Sequence, residues 1–174
     1  THDQLNEKWI KKTTNKEKKY FKKKWRGFLG NSYLKEIKWG KKVYLKNPEI
    51  HILSQSLGKT KSDEPLVSSI VPCYNRKNML RFTIQSLIKQ DYPNQELIFV
   101  DDGSTEILEP FIKENLKSFE GDWKIIRMQY NSGPGVARKV GMRNCNGKYI
   151  QFIDSDDEPS PDKISSQVNV LEKN

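Results

Sequence analysis

Between Leu66 and Glu172 the chain alternates four times between a short strand-like run and a helical stretch. Leu66–Val71 is an apolar run rich in β-branched residues that ends at Pro72. Met79–Gln90 follows, with Leu80, Ile84, Leu87 and Ile88 at i, i+4, i+7 and i+8, one face of a helix. Leu97-Ile98-Phe99-Val100 is the continuous apolar run of a buried parallel strand. Ile107–Phe119 predicts a helix carrying Leu108, Phe111, Ile112 and Phe119 on one side. Trp123–Gln129 predicts a third strand, and Pro134–Asn144 a helix with proline in its first turn. Tyr149–Ile153 predicts a fourth strand, and Pro161–Glu172 a last helix with Ile164, Val168 and Leu171. This alternation predicts an α/β fold: a mostly parallel sheet flanked by helices on both faces, with right-handed crossovers.

Charge divides the chain in two. Residues 1–64 hold 17 Lys+Arg against 7 Asp+Glu, and residues 65–174 hold 14 against 15, so the net charge of +9 belongs to the first part. We therefore read residues 1–64 as a basic, aromatic-rich, mainly helical extension and linker, and residues 65–174 as a separate, regularly patterned domain. Phe21, Trp25, Phe28 and Leu29 share one helical face among lysines. Packing against a domain or neighbour is the favoured reading of residues 5–46. Peripheral contact with an anionic membrane is the second. No nucleic-acid-binding module is recognisable, so no nucleic-acid partner is expected. Two cysteines exclude a disulfide scaffold, and no signal peptide or spanning run is visible. The expected setting is cytoplasmic, with the inner membrane face as the peripheral option. Gly58-Lys59-Thr60 resembles the end of a P-loop, but the opening glycine would fall at Leu53.

Polar residues cluster where a parallel sheet puts its chemistry. Tyr74 and Asn75 follow the first predicted strand, Asp101 and Asp102 follow the second immediately, and Asp154, Asp156 and Asp157 follow the fourth. Five carboxylates at these strand ends repel one another unless a cation or cationic groups offset them. An all-oxygen set suits Mg²⁺ or Mn²⁺. An EF-hand beginning at Asp154 would need glycine at Pro159, and a dinucleotide fingerprint beginning at Gly133 would need glycine at Arg138. Each acidic pair alone reads as turn chemistry; together, at three strand ends, they read as a site.

Four motifs carry a resemblance. Ser69–Asn75, Val100–Thr105, Asn131–Arg138 and Gly147–Asp157 closely resemble, in order and spacing, the nucleotide-binding half of family 2 glycosyltransferases with the GT-A fold. Pro161-Asp162-Lys163 also matches a segment found after the acidic motif there. The resemblance covers about residues 66–170. It implies that Pro72 and Tyr74, with Asn75, line the base and ribose. It implies that Asp102, beside Asp101, reads the base edge or ribose, and that Arg138 lies near the base and phosphates. Asp154-Ser155-Asp156 matches the DxD motif, with Asp156, then Asp154, as ligands of Mn²⁺ or Mg²⁺ and Ser155 at the nucleotide sugar.

The implied activity is transfer, with inversion, of a sugar from a nucleotide-diphosphate sugar (UDP-sugar the first choice) to a hydroxyl of a glycan or glycoconjugate acceptor in polysaccharide synthesis. The family's general base lies beyond the acidic motif, in a second half that would follow Asn174. The expectation is thus a fragment, inactive alone, with an exposed sheet edge. Two alternatives stand beside this reading. One is a nucleotidyltransferase of nucleotide-sugar synthesis, whose glycine-rich loop Tyr74-Asn75-Arg76-Lys77 lacks. The other is a non-catalytic nucleotide-binding or assembly module.

Overall fold

The computed structural model describes residues 49–56 and 62–173, all within one compact unit, Pro48–Asn174. The readings made on residues 5–46 and on Gly58–Thr60 fall outside the described residues.

Five strands and four helices follow one another: β1 (Ile50–Ser56), β2 (Val67–Cys73), α1 (Lys77–Ile88), β3 (Gln95–Asp101), α2 (Glu109–Asn115), β4 (Asp122–Met128), α3 (Pro134–Arg143), β5 (Tyr149–Phe152) and α4 (Lys163–Leu171). The sheet order is β1-β4-β3-β2-β5. The three pairings β4-β3, β3-β2 and β2-β5 are parallel, and only β1 runs antiparallel, along β4. All eight predicted elements are present. The chain steps from β2 outward to β3 and β4, then crosses back through α3 to place β5 on the other side of β2. That reversal opens a crevice at the carboxyl ends of β2 and β5.

Alternation within the strands sorts the core into two layers. Val71, Cys73, Leu97, Phe99 and Ile125 pack beneath α1 and α2, against Leu80, Ile84, Leu87, Leu108 and Ile112. Ile70, Ile98, Val100, Ile126 and Met128 face the other way, against Ala137 and Val140 of α3. A smaller cluster of Val67, Tyr92, Ile164 and Val168 seats α4. The helix α3 lies so close to β2 that a Cβ on Gly141 would come 2.3 Å from a methyl of Ile70.

Pro72 sits inside β2 without leaving an orphaned carbonyl. Ile153 N–H donates to Ile70 O, so even-numbered residues of β2 address β5. The β2–β5 ladder ends at the Ile70–Phe152 pair, and the missing proline N–H therefore faces a side with no strand to bond.

The strand Ile50–Ser56 was not anticipated: the charge balance grouped it with the basic extension. It is an edge strand whose side chains are mostly exposed, and its ladder is broken by a bulge between Ile52 and Ser54. Ile50 is its contact with the α3-side core. One apolar anchor and a bulge leave little periodicity to read. Among the described residues no helix is long and apolar enough to cross a membrane.

Candidate functional site

The loops at the carboxyl ends of β2, β3, β4 and β5 are tied into a closed ring. After β2, Asn75 adopts φ +50°, which asparagine tolerates better than most residues. Its carboxamide oxygen accepts from Thr105 N at 2.8 Å and Thr105 Oγ1 at 3.1 Å, and its own N–H donates to Ser104 Oγ at 3.0 Å. The β2 loop is thereby fixed to the β3 loop. At the end of β3, Asp102 accepts from Ser132 N at 2.7 Å and Gly133 N at 2.8 Å, which fixes the β3 loop to the start of α3. From α3, Arg138 reaches Asp154 after β5 at 2.5 Å. From the β2 loop, Arg76 reaches Asp156 at 2.7 Å and closes the circuit.

Gly103 lets the β3 and β4 loops come together. Its φ is +69°, and a Cβ there would lie 2.6 Å from the carbonyl carbon of Tyr130 and 2.7 Å from Asn131 N. Both the dihedral and the close approach require glycine.

Beneath the ring, Asp101 is 1% exposed. It receives Ser104 N on one oxygen at 2.8 Å and Arg127 on the other at 2.6 Å, while Arg127 also donates to Ser104 O at 2.6 Å. Asp101 and Arg127 are register partners on adjacent parallel strands, so the ion pair follows directly from strand pairing. The resemblance puts Asp101 among the nucleotide-sugar residues; in the fold both its oxygens are bound by the chain, one by Ser104 N and the other by Arg127. Asp102 is also buried, 3% exposed. Burial pushes its carboxyl pKa up, the N–H groups of Ser132 and Gly133 pull it back, and the neighbouring Asp101 charge adds to the rise.

The acidic turn after β5 is laid out for solvent. Asp154 and Asp156 are exposed and Ser155 between them is buried. The turn closes through Asp157 N donating to Asp154 O at 3.0 Å. Gln90, at the end of α1, pins its far side: Nε2 donates to Ser160 O at 2.7 Å and Oε1 accepts from Ile164 N at 3.2 Å. Lys163 donates to Gln151 Oε1 at 3.1 Å, and burial lowers its pKa against the opposing pull of Asp157.

The expected repulsion among the strand-end acids is answered largely from within the chain. Arg127, Arg138 and Arg76 meet Asp101, Asp154 and Asp156. Among the described residues no three His, Cys, Asp or Glu side chains come together as a metal-holding group. What exists is two exposed carboxylates, Asp154 and Asp156, each held by an arginine. That donor set fits a divalent cation that keeps waters and takes further oxygens from a bound diphosphate. Arg138 stacks near the Phe152 ring, 6.0 Å from its centroid, and its Nε is buried with no hydrogen-bond partner among the described residues.

Tyr74 is exposed at the mouth of the crevice, and Pro72 is buried in β2 below it. The sequence reading missed Arg76 and Arg127. Arg127 could have been found from register, because it stands opposite Asp101 once β3 and β4 are paired. Arg76 carries no motif signal.

Comparisons with known proteins bear on this site. The family model described as Glycosyl transferase family 2 matches residues 68–174. An uncharacterized glycosyltransferase of Haemophilus influenzae is 39% identical over 110 residues, 63% of this chain and 44% of its own length. A putative teichuronic acid biosynthesis glycosyltransferase of Bacillus subtilis, TuaG, is 34% identical over 108 residues, 62% of this chain and 42% of its own. The crystal structure of S. aureus TarS 1–349 in complex with UDP aligns at a TM-score of 0.57 with 31% identity, covering 62% of this chain and 32% of that one. The chain thus spans less than half the length of these relatives.

Proposed function

Because the chain belongs to glycosyl transferase family 2, we propose that it supplies the donor-binding half of an enzyme that transfers a sugar, with inversion, from a nucleotide-diphosphate sugar to an acceptor hydroxyl. The observation that carries this reading is the pairing of Asp154 and Asp156, both exposed, with arginines from α3 and the β2 loop at the β2–β5 crevice. UDP is the nucleotide we favour, since TarS, at 31% identity, was solved with it. A polysaccharide-type acceptor is favoured by the TuaG likeness.

In this reading Tyr74 covers the base and ribose, above the buried Pro72. Asn75, Asp101 and Asp102 hold the loops that shape the nucleotide pocket. Arg138 faces the phosphates, and Ser155 orients the acidic turn from inside. Asp156, with Asp154, holds Mn²⁺ or Mg²⁺. When bound, the cation offsets the charge that builds on the departing diphosphate as the sugar–phosphate bond breaks. The guanidinium of Arg138 adds to that offset.

Calorimetric titration of UDP into the full chain, with and without Mn²⁺, tests the assignment. Binding is expected to depend on the cation, and Asp156→Asn to weaken it at least about tenfold, as loss of metal-site groups does. Equal affinity with and without cation, in both proteins, would remove the metal from the reading.

A further inference from the structure

The acidic turn is not free to receive a cation: its outer carboxylate is already held. Arg76 Nη1 lies 2.7 Å from Oδ2 of Asp156, the residue expected to meet the metal. Arg76 is also well placed to let go. It is the residue just before α1, it follows Asn75, and Asn75 is bonded to Thr105 and Ser104. The backbone beneath Arg76 is therefore anchored while its side chain is 54% exposed and that of Asp156 41% exposed. Exposed pairs of this kind are weak and open readily.

Resting on the donor-binding reading above, we propose that Arg76 is a counter-ion latch that shuts the acidic turn to free divalent cations and opens it to a cation carrying a diphosphate. The sign of the charges decides the selectivity. A bare cation must displace Arg76 from Asp156 and then sit beside an unpaired positive group. A diphosphate brings more negative charge than one divalent cation cancels, so the complex attracts both the released Arg76 and the nearby Arg138. Asp156 then exchanges its arginine for the cation, and Arg76 exchanges its carboxylate for phosphate oxygens, so no charge is stranded. Metal and nucleotide should accordingly enter together.

The latch predicts opposite effects of one substitution. In the full chain, Arg76→Gln should tighten Mn²⁺ alone by roughly three- to tenfold, since a unit charge beside a divalent ion at a solvated site costs about that much. The same variant should weaken UDP in saturating Mn²⁺ by about tenfold, through loss of a charge-assisted contact. Free Mn²⁺ is read by electron paramagnetic resonance and UDP by calorimetry, with circular dichroism confirming the fold. Arg76→Lys, which keeps the charge, should stay within about threefold of the parent in both titrations. Unchanged Mn²⁺ affinity in Arg76→Gln, or UDP binding that is not weakened, would overturn the latch while cation-dependent UDP binding by the parent left the donor site standing. Absence of UDP binding in parent and variant alike would overturn both.

Discussion

Replacing Arg127 by methionine probes the frame beneath the site without touching the exposed residues. The native guanidinium neutralises Asp101, 1% exposed, and donates to Ser104 O at 2.6 Å. Methionine keeps much of the apolar stem and removes every donor. Asp101 would then be a buried carboxylate with Ser104 N as its remaining bond. Removing one partner of a fully buried pair costs about 3–5 kcal/mol. Arg127 is 33% exposed, so water can enter and replace part of what is lost, which lowers the expected cost to about 2–3 kcal/mol. The orphaned Ser104 carbonyl adds at most about 1 kcal/mol. Urea unfolding at neutral pH should show a lower midpoint with an unchanged slope. The double variant Arg127→Met with Asp101→Asn should recover at least about 1 kcal/mol relative to Arg127→Met alone, because the stranded charge is gone. A loss below about 1 kcal/mol, or a double variant no better than the single, would refute the argument that this ion pair holds the β3 loop.

Two further outcomes are expected. Gly103→Ala should cost more than about 2 kcal/mol, since it combines a φ of +69° with a Cβ 2.6 Å from Tyr130 C. Gly135→Ala, in α3 with nothing within 4 Å of its Cβ, should be neutral or stabilising by up to about 1 kcal/mol; equal shifts in thermal melting would contradict the close-approach argument. A thiol reagent at mildly alkaline pH should titrate Cys145 in the folded chain and reach Cys73 only on unfolding. Burial, helped by the Asp101 charge, pushes the Cys73 thiol far up, and two equally fast thiols would contradict that.

The fold was legible because β2, β3 and the helices bury long apolar faces. Leu97–Val100 is a run that only a strand covered on both faces would carry, and Leu80, Ile84 and Leu87 are all fully buried. β1 was not legible, because an edge strand needs one anchored face and can leave Leu53 exposed at a bulge. The site was half legible. Its acids could be assigned to strand ends from chain order alone. What each acid does depends on partners far away in sequence: Asp102 meets backbone donors at 132 and 133, and Asp101 meets Arg127. Such partners emerge only from register and loop packing, and two adjacent aspartates therefore proved to hold different elements.

The division of labour within the ring has a consequence for how such a crevice can diversify. Asn75, Asp101 and Asp102 spend their polar atoms on the loops themselves, whereas Tyr74, Arg76, Asp154 and Asp156 stand outward. Substitution at Tyr74 alters what is presented to a ligand and leaves the loop-to-loop bonds intact, whereas substitution at Arg76, Asp154 or Asp156 also breaks an ion pair of the ring. New preferences can therefore be acquired at Tyr74 in single steps, without a compensating change elsewhere in the chain.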